Sequence, residues 1–347
     1  MAESDKTTEP APAAAQPAGR RVLVIYNPAA GRSRRRKLSA VLDQLEEQVC
    51  SVVLKETRRR GDAEIFAREV SAEDVDVIVA AGGDGTINEV VNGMVGHGGP
   101  TPKLAIIPLG TANVLACEIG LDAQDPAQIA ATIAQGPAAR VHLGTANGRH
   151  FVLMAGAGLD AHVVEGVNTH TALKRHTGKF AYVVESVKQA LGYDFPALEI
   201  RANGAVYKGR MAVACKGRHY GGPFIAAPGA KLEDPSLQVC ILPNEGMAGM
   251  LRYGIALPLG KLPLLPEVKL VSTNSMIITG PRGAPVQADG DIIARLPAEI
   301  TIAGETVELI VPVAGQLPKL GNARRAFDAL RKVRRKPVEA THITAAA

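Results

Sequence analysis

The chain has 347 residues, 46% hydrophobic, 21% charged and only 3% aromatic, with no tryptophan. This balance is globular, too long for one small domain, and excludes disorder over most of the length. The formal net charge of +5 is unevenly placed, in clusters at Arg32 to Lys37, Arg58 to Arg60 and Arg324 to Lys336, which points to an anionic partner.

Residues 1–20 hold Glu3, Asp5, Lys6 and Glu9 in an Ala/Pro-rich run without the apolar core of a secretory signal, and are expected to be a flexible tail. From Arg21 the chain alternates. Arg21 to Tyr26 reads as a strand, Asn27-Pro28 to Gly31 as a loop, and the segment carrying Leu38, Val41, Leu42 and Leu45 as a helix. Val52 to Leu54, Val75 to Ala80 and Leu104 to Ile107 are further expected strands. Asp62 to Val70, Thr86 to Val95 and Asn113 to Ile119 are expected helices. Such alternation predicts an N-terminal α/β doubly wound domain with a parallel sheet and a ligand site at the strands' C-terminal ends.

Past about Val141 short alternating runs replace this rhythm: Phe151 to Ala155, Ala197 to Arg201, Ala212 to Cys215, Gln238 to Leu242, Glu267 to Val271 and Ser275 to Thr279. Gly, Pro and Asn turns separate them, with one clear helix over Gly178 to Leu191. A C-terminal, mostly antiparallel β-sandwich or barrel-like domain is expected. The most apolar stretch, Met247 to Leu265, is interrupted by Arg252, Lys261 and prolines, and no run is long and apolar enough to span a bilayer. Cys50, Cys117, Cys215 and Cys240 are too widely spaced for a metal clip or a dense disulfide framework, so a reduced, cytoplasmic setting is expected.

Chemistry concentrates in three loops. Gly82-Gly83-Asp84-Gly85-Thr86 with Asn88 and Glu89 follows a strand and opens a helix. Small residues there admit phosphate oxygens, and a helix N-terminus offers N–H groups and partial positive charge. A carboxylate in such a cradle makes sense if Asp84 holds Mg²⁺, acts on an acceptor hydroxyl, or both. Pro108-Leu-Gly110-Thr111-Ala-Asn113 repeats the strand–loop–helix arrangement, and Asn27-Pro28 with Gly31 ends the first strand. Three strand-end loops meeting at one sheet edge build a nucleotide site. No GxxxxGK[ST] occurs, and Asn88 stands where a dinucleotide fingerprint needs its third glycine.

Together these loops resemble the diacylglycerol kinase catalytic-domain family, which includes bacterial lipid kinases and the sphingosine and ceramide kinases. Ala155-Gly-Ala-Gly158-Leu-Asp160 and Tyr220-Gly221-Gly222 extend the resemblance to about Leu330. It implies an ATP-binding domain over 21–143, a β-sandwich lipid-acceptor domain over 144–316 and a cleft between them. It further implies ATP contacts at Asn27, Pro28, Gly31, Thr57, Gly82, Gly83, Asp84, Gly85, Thr86, Asn88, Glu89, Gly110, Thr111 and Asn113. Mg²⁺ is expected near Asp84, and a membrane lipid, diacylglycerol or a sphingoid or ceramide-type lipid, as acceptor.

Two positions depart from the family pattern. Asp291 stands where the family usually carries a glutamate proton acceptor, so Asp291 or Asp84 is the expected base. In the segment from Lys231 to Ser236, where bacterial relatives often bind a structural Mg²⁺ and Asp234 is the candidate ligand, Lys231 is expected to pair with Asp234 and substitute for that ion.

Asp160 reads as the carboxylate that holds the acceptor's head group, against a turn-capping role. The histidines lack metal-ligand spacing. Residues 317–336 form an expected basic helix, docking on an anionic membrane or closing on the first domain, and 337–347 a flexible tail. A cytoplasmic protein peripherally bound to the inner membrane face is expected, as monomer or homodimer. Nucleic acid is not, because the basic clusters lack interleaved aromatics. The rival readings are an NAD kinase and a catalytically silent nucleotide-binding membrane tether.

Overall fold

The computed structural model describes residues 19–28, 32–48, 50–170, 192–243 and 246–313. Most of the N-terminal tail, Gly31, the helix expected over Gly178 to Leu191, and the basic helix and tail over 317–347 lie outside these residues.

The first half alternates as its periodicity requires: β1 (Arg21–Tyr26), α1 (Arg32–Glu47), β2 (Ser51–Glu56), α2 (Asp62–Arg68), β3 (Val77–Gly82), α3 (Asp84–Val95), β4 (Lys103–Pro108), α4 (Val114–Glu118) and α5 (Pro126–Gln135). The four strands pair in parallel in the order β2-β1-β3-β4. Every residue of β3 is buried, the pattern of a central parallel strand covered on both faces. Leu38, Val41 and Leu45 of α1 and Val90 and Met94 of α3 join the strands in one core. The sequence reading passed over α5. Its start is nonetheless chemically marked, because Asp125 accepts from the Ala127 and Gln128 N–H groups at 3.0 and 3.1 Å and Pro126 opens the helix.

The second half contains β5 (Ala138–Ala146), β6 (Arg149–Phe151), β7 (Met154–Ala157), α6 (Leu159–His170), β8 (Leu198–Ala202), β9 (Ala205–Gly209), β10 (Met211–Cys215), β11 (His219–Tyr220), β12 (Phe224–Ile225) and β13 (Leu237–Leu242). It continues through α7 (Gly246–Ala256), β14 (Lys269–Thr273), β15 (Ser275–Thr279), β16 (Pro285–Ala288), β17 (Asp291–Arg295) and β18 (Ala298–Ile310). One antiparallel sheet runs β14-β13-β10-β7-β16-β17. Residues of both sheets, among them Phe151, Ile200, Val239, Ile278 and Ile300, share a second core, as a sandwich requires.

The long strand β18 joins the two halves. It pairs in parallel with β4 at Leu309 and Leu104, and antiparallel with β5 and β15. The parallel sheet therefore continues through β18, β15, β8 and β9, and the expected division between residues 143 and 144 falls inside β5. Local periodicity carries no sign of this, since the partner of β5 lies far along the chain.

Candidate functional site

The three loops meet as the strand order demands. The Asn27 N–H donates to the Ala81 carbonyl at 3.0 Å and the Leu109 N–H to the Gly82 carbonyl at 2.8 Å. The Asn27 amide donates to the Thr86 hydroxyl at 3.3 Å, and the buried Thr57 is anchored by its N–H to Tyr26. Close approach explains the glycines. A Cβ on Gly82 would lie 2.6 Å from the Thr86 Cβ, one on Gly110 2.7 Å from the Gly83 Cα, and one on Gly85 2.9 Å from Asp291 Oδ2.

Asp84 opens α3 and also caps α4: its oxygens accept from the Val114 and Leu115 N–H groups at 3.2 and 3.3 Å. Burial raises its pKa, and those bonds oppose the rise. Asn113, in left-handed conformation, turns its amide N–H onto the Gly110 carbonyl at 3.1 Å. Its Oδ1 is the one buried side-chain polar atom without a partner among the described residues. Two cations of the first basic cluster flank the third loop. Arg34 donates to the Thr111 hydroxyl at 3.2 Å, and Lys37 to the Pro108 carbonyl at 2.6 Å, with burial lowering the lysine to about 8.

Asp84 also lines an apolar cavity of about 570 Å³. The polar groups on its wall include Asp160, Tyr220 and Gln287, and the rest is mainly apolar surface from β7, β10, β13, α6 and α7. Asp160 accepts from the Ala161 N–H at 2.8 Å, the Gln287 amide at 3.1 Å and the Tyr220 hydroxyl at 3.5 Å. Burial pushes it up to about 6. Asp291 lies across Gly85 on a second cavity of about 420 Å³ that the charged residues Arg60, Glu89 and Arg149 also line. Burial raises the pKa of Asp291, and the Arg60 guanidinium, paired with it at 2.6 Å, opposes the rise.

Several side chains differ from their expected use. Asn88 is buried and donates to the His150 carbonyl and to Asp289, both at 3.0 Å, so its amide joins the two halves of the chain. Glu89 accepts from the backbone N–H groups of Gly61 and Ala63 at the start of α2. Lys231 and Asp234 are 3.9 Å apart and exposed. A second cation that bonds this segment is Lys216. It is fully buried, and its ammonium donates to the carbonyls of Lys231 at 3.1 Å, Ser236 at 3.2 Å and Asp234. An ammonium on three carbonyls satisfies them as a metal would, and Asp234 contributes its backbone rather than its carboxylate.

Sequence reasoning missed Lys216, Gln287 and the pair Glu118 and His219. Glu118 accepts from the Arg218 and His219 N–H groups at 2.8 and 3.0 Å and approaches His219 Nδ1 at 2.6 Å, fastening α4 to the hairpin that carries Tyr220. For Lys216 the only signal is a lysine directly after the five buried residues of β10. For the others no local signal exists, because the partners are distant in sequence.

Among the described residues no group of three or more His, Cys, Asp or Glu could hold a metal, and no helix is long and apolar enough to cross a membrane. Residues 21–146 match the diacylglycerol kinase catalytic domain, and residues 154–311 the YegS C-terminal NAD kinase beta sandwich-like domain. The chain is 28% identical to the diacylglycerol kinase of Bacillus subtilis (strain 168), over 84% of this chain and 97% of that protein. It is equally similar to the diacylglycerol kinase of Staphylococcus carnosus (strain TM300), over 84% and 95%. A solved structure from Bacillus anthracis str. Sterne, a candidate diacylglycerol kinase, superposes with a TM-score of 0.72 at 25% identity, covering 86% of this chain and 98% of the other.

Proposed function

The chain belongs to the diacylglycerol kinase catalytic-domain family and is an ATP-dependent lipid kinase, and from that premise we propose how its residues divide the reaction. The observation that carries the proposal is that Asp84 belongs to both halves of the site. It is the central residue of the glycine loop and also lines the apolar cavity. A lipid that leaves its chains in that cavity brings its hydroxyl to this carboxylate, beside the loops that receive phosphates.

The backbone of Gly82 to Gly85, the Thr111 hydroxyl, and the Arg34 and Lys37 cations receive the triphosphate, offsetting charge on the transferring group. Asp84 accepts the hydroxyl proton as the lipid oxygen bonds to the γ-phosphorus and the bond to the ADP oxygen breaks. Its raised proton affinity suits that task. Asp160, with Gln287 and Tyr220, orients the polar head of the acceptor. Asp291 keeps Arg60 aimed at the far side of the glycine loop.

The family implies Mg²⁺. Among the described residues no group of three or more ligating side chains stands together, so an ion would be held by one carboxylate at the glycine loop, Asp291 or Asp84, with its remaining ligands from nucleotide phosphates and water. The ion would supply charge neutralisation at the γ-phosphate.

An NAD kinase is disfavoured by the cavity, whose lining is overwhelmingly apolar. A silent tether is disfavoured by the intact Asp84. The test is transfer of labelled γ-phosphate to diacylglycerol, monoacylglycerol, phosphatidylglycerol, sphingosine and ceramide in mixed micelles, with NAD as soluble control. A labelled lipid, absent with Asp84→Asn, is the expected result. Label in NAD, or in no acceptor, overturns the reading.

A further inference from the structure

The helix α7 and the turn after it have two apolar faces. The inner face, Met250 and Tyr253 with Leu257 and Leu262, lines the apolar cavity. The outer face carries Met247, Leu251 and Ile255, which recur every fourth residue and so share one side of the helix. Leu251 is 61% and Ile255 54% exposed, and beyond the helix Leu259 and Leu264, the latter 77% exposed, extend the same apolar ground. Soluble surfaces carry isolated exposed apolar residues, but a cluster in one short segment marks an interaction site.

We propose that this outer face is the surface by which the protein docks on an anionic bilayer, so that the acceptor passes from the membrane into the cavity behind the same helix. The proposal rests on the lipid-acceptor reading above. Continuity carries it: the wall of the acceptor cavity and the exposed patch are two sides of one 11-residue helix. Charge agrees with it. Between Gly246 and Pro266 there is no Asp or Glu, and Lys261 stands exposed in the segment, placed to reach anionic headgroups while the apolar side chains enter the interface. Arg252, also exposed, pairs with Glu267 at 3.2 Å at the edge of the patch. In the other described basic clusters Arg34 and Lys37 bind the Pro108–Thr111 loop and Arg60 pairs with Asp291.

The absence of tryptophan from the chain permits a direct test. Leu251→Trp introduces a single reporter on the proposed face, and Leu54→Trp, on exposed β2, a control away from it. Each is mixed with phosphatidylcholine and phosphatidylglycerol vesicles whose acyl chains are brominated. Emission from Leu251→Trp is expected to move to the blue and be quenched, and that from Leu54→Trp to stay unchanged. Sedimentation of the Leu251→Glu/Ile255→Glu variant with the same vesicles should fall at least about tenfold, since two buried apolar contacts become charges. Its turnover on a short-chain diacylglycerol dispersed below its micelle concentration should be retained. The proposal is overturned if Leu251→Trp stays unquenched, whether the protein remains in solution or binds vesicles through another surface such as residues 317–336. Quenching does not depend on turnover, so failure of the kinase reading would appear separately, as wild-type protein that binds vesicles and labels no lipid.

Discussion

Asn88 on α3 donates a hydrogen bond of 3.0 Å to Asp289 in the turn between β16 and β17, joining residues 201 positions apart. Asp289 also accepts from the N–H groups of Val152, Leu153 and Met154 at 2.7 to 3.0 Å. The contact fixes the turn that leads into Asp291 against the helix that begins at Asp84. The spacing of the two carboxylates across the glycine loop thus depends on a pair whose members each line a cavity, Asp289 the apolar one and Asn88 the second.

Replacing Asp84 with Asn keeps an acceptor for one of the Val114 and Leu115 N–H groups, which bond different oxygens of the carboxylate, and removes the base. Turnover should fall by about 10²- to 10⁴-fold, while Tm falls only as the loss of one hydrogen bond requires, about 1 kcal/mol of stability. Phosphate transfer and thermal melting check both halves. A variant that retains turnover would remove Asp84 from the role of proton acceptor. Asp291→Asn, which frees Arg60 but leaves the apolar cavity's carboxylates in place, should lose less.

Gly82→Ala would force the Thr86 side chain away from a new Cβ and break its bond with Asn27. Overpacking of this kind destabilises by about 1–3 kcal/mol. The expected outcome is a raised KM for ATP with the lipid KM little changed, measured by varying each substrate in turn.

Burial raises Asp160 to about 6 from 3.8. The folded protein therefore binds this proton more readily than the unfolded chain, and the group's contribution to stability is lost as pH rises from about 4 through 6. The linked free energy is about 3 kcal/mol. Asp160→Asn should consequently look about that much more favourable at pH 8 than at pH 4, relative to wild type, in denaturant unfolding at the two pH values. An equal effect at both would show that Asp160 ionises normally.

Lys216→Ala would remove the ammonium from three carbonyls, of which that of Lys231 keeps a second donor, the Asp234 N–H at 3.3 Å, a loss of about 1–3 kcal/mol. Because the vacated place is lined by carbonyl oxygens, millimolar MgCl₂ or CaCl₂ should restore part of the lost Tm in the variant and leave wild-type protein unmoved. Melting curves with and without the salts decide this.

The strand–glycine–helix units were legible because their signals are local. The buried run before Gly82, the small residues after it and the helical spacing behind Thr86 all lie within one window, and the same holds around Pro108. The same window does not contain the partners of Asn88 and Glu89, which belong to the motif in sequence and bond His150, Asp289 and α2. Asp125 before Pro126 is a readable helix start, an N-cap side chain followed by proline at the first helical position. Within Met247 to Leu265 the prolines suggested interruption, yet they fall after the end of α7. Lys216, Glu118 and Gln287 have meaning only through residues brought to them by the sandwich, and nothing beside them in the chain states it.

The pairing of β18 with β4 has an implication for how the molecule comes into being. On a ribosome, the edge of β4 emerges with no neighbour on that side and waits until Leu309 has been made. The nucleotide-loop half therefore completes its sheet only when nearly the whole described chain is present, a non-local closure that slows folding. Meanwhile an open strand edge invites other chains. A fragment ending near residue 146 carries every glycine loop, yet keeps that edge bare. Such a fragment should aggregate where the full chain does not, and light scattering after refolding would reveal it.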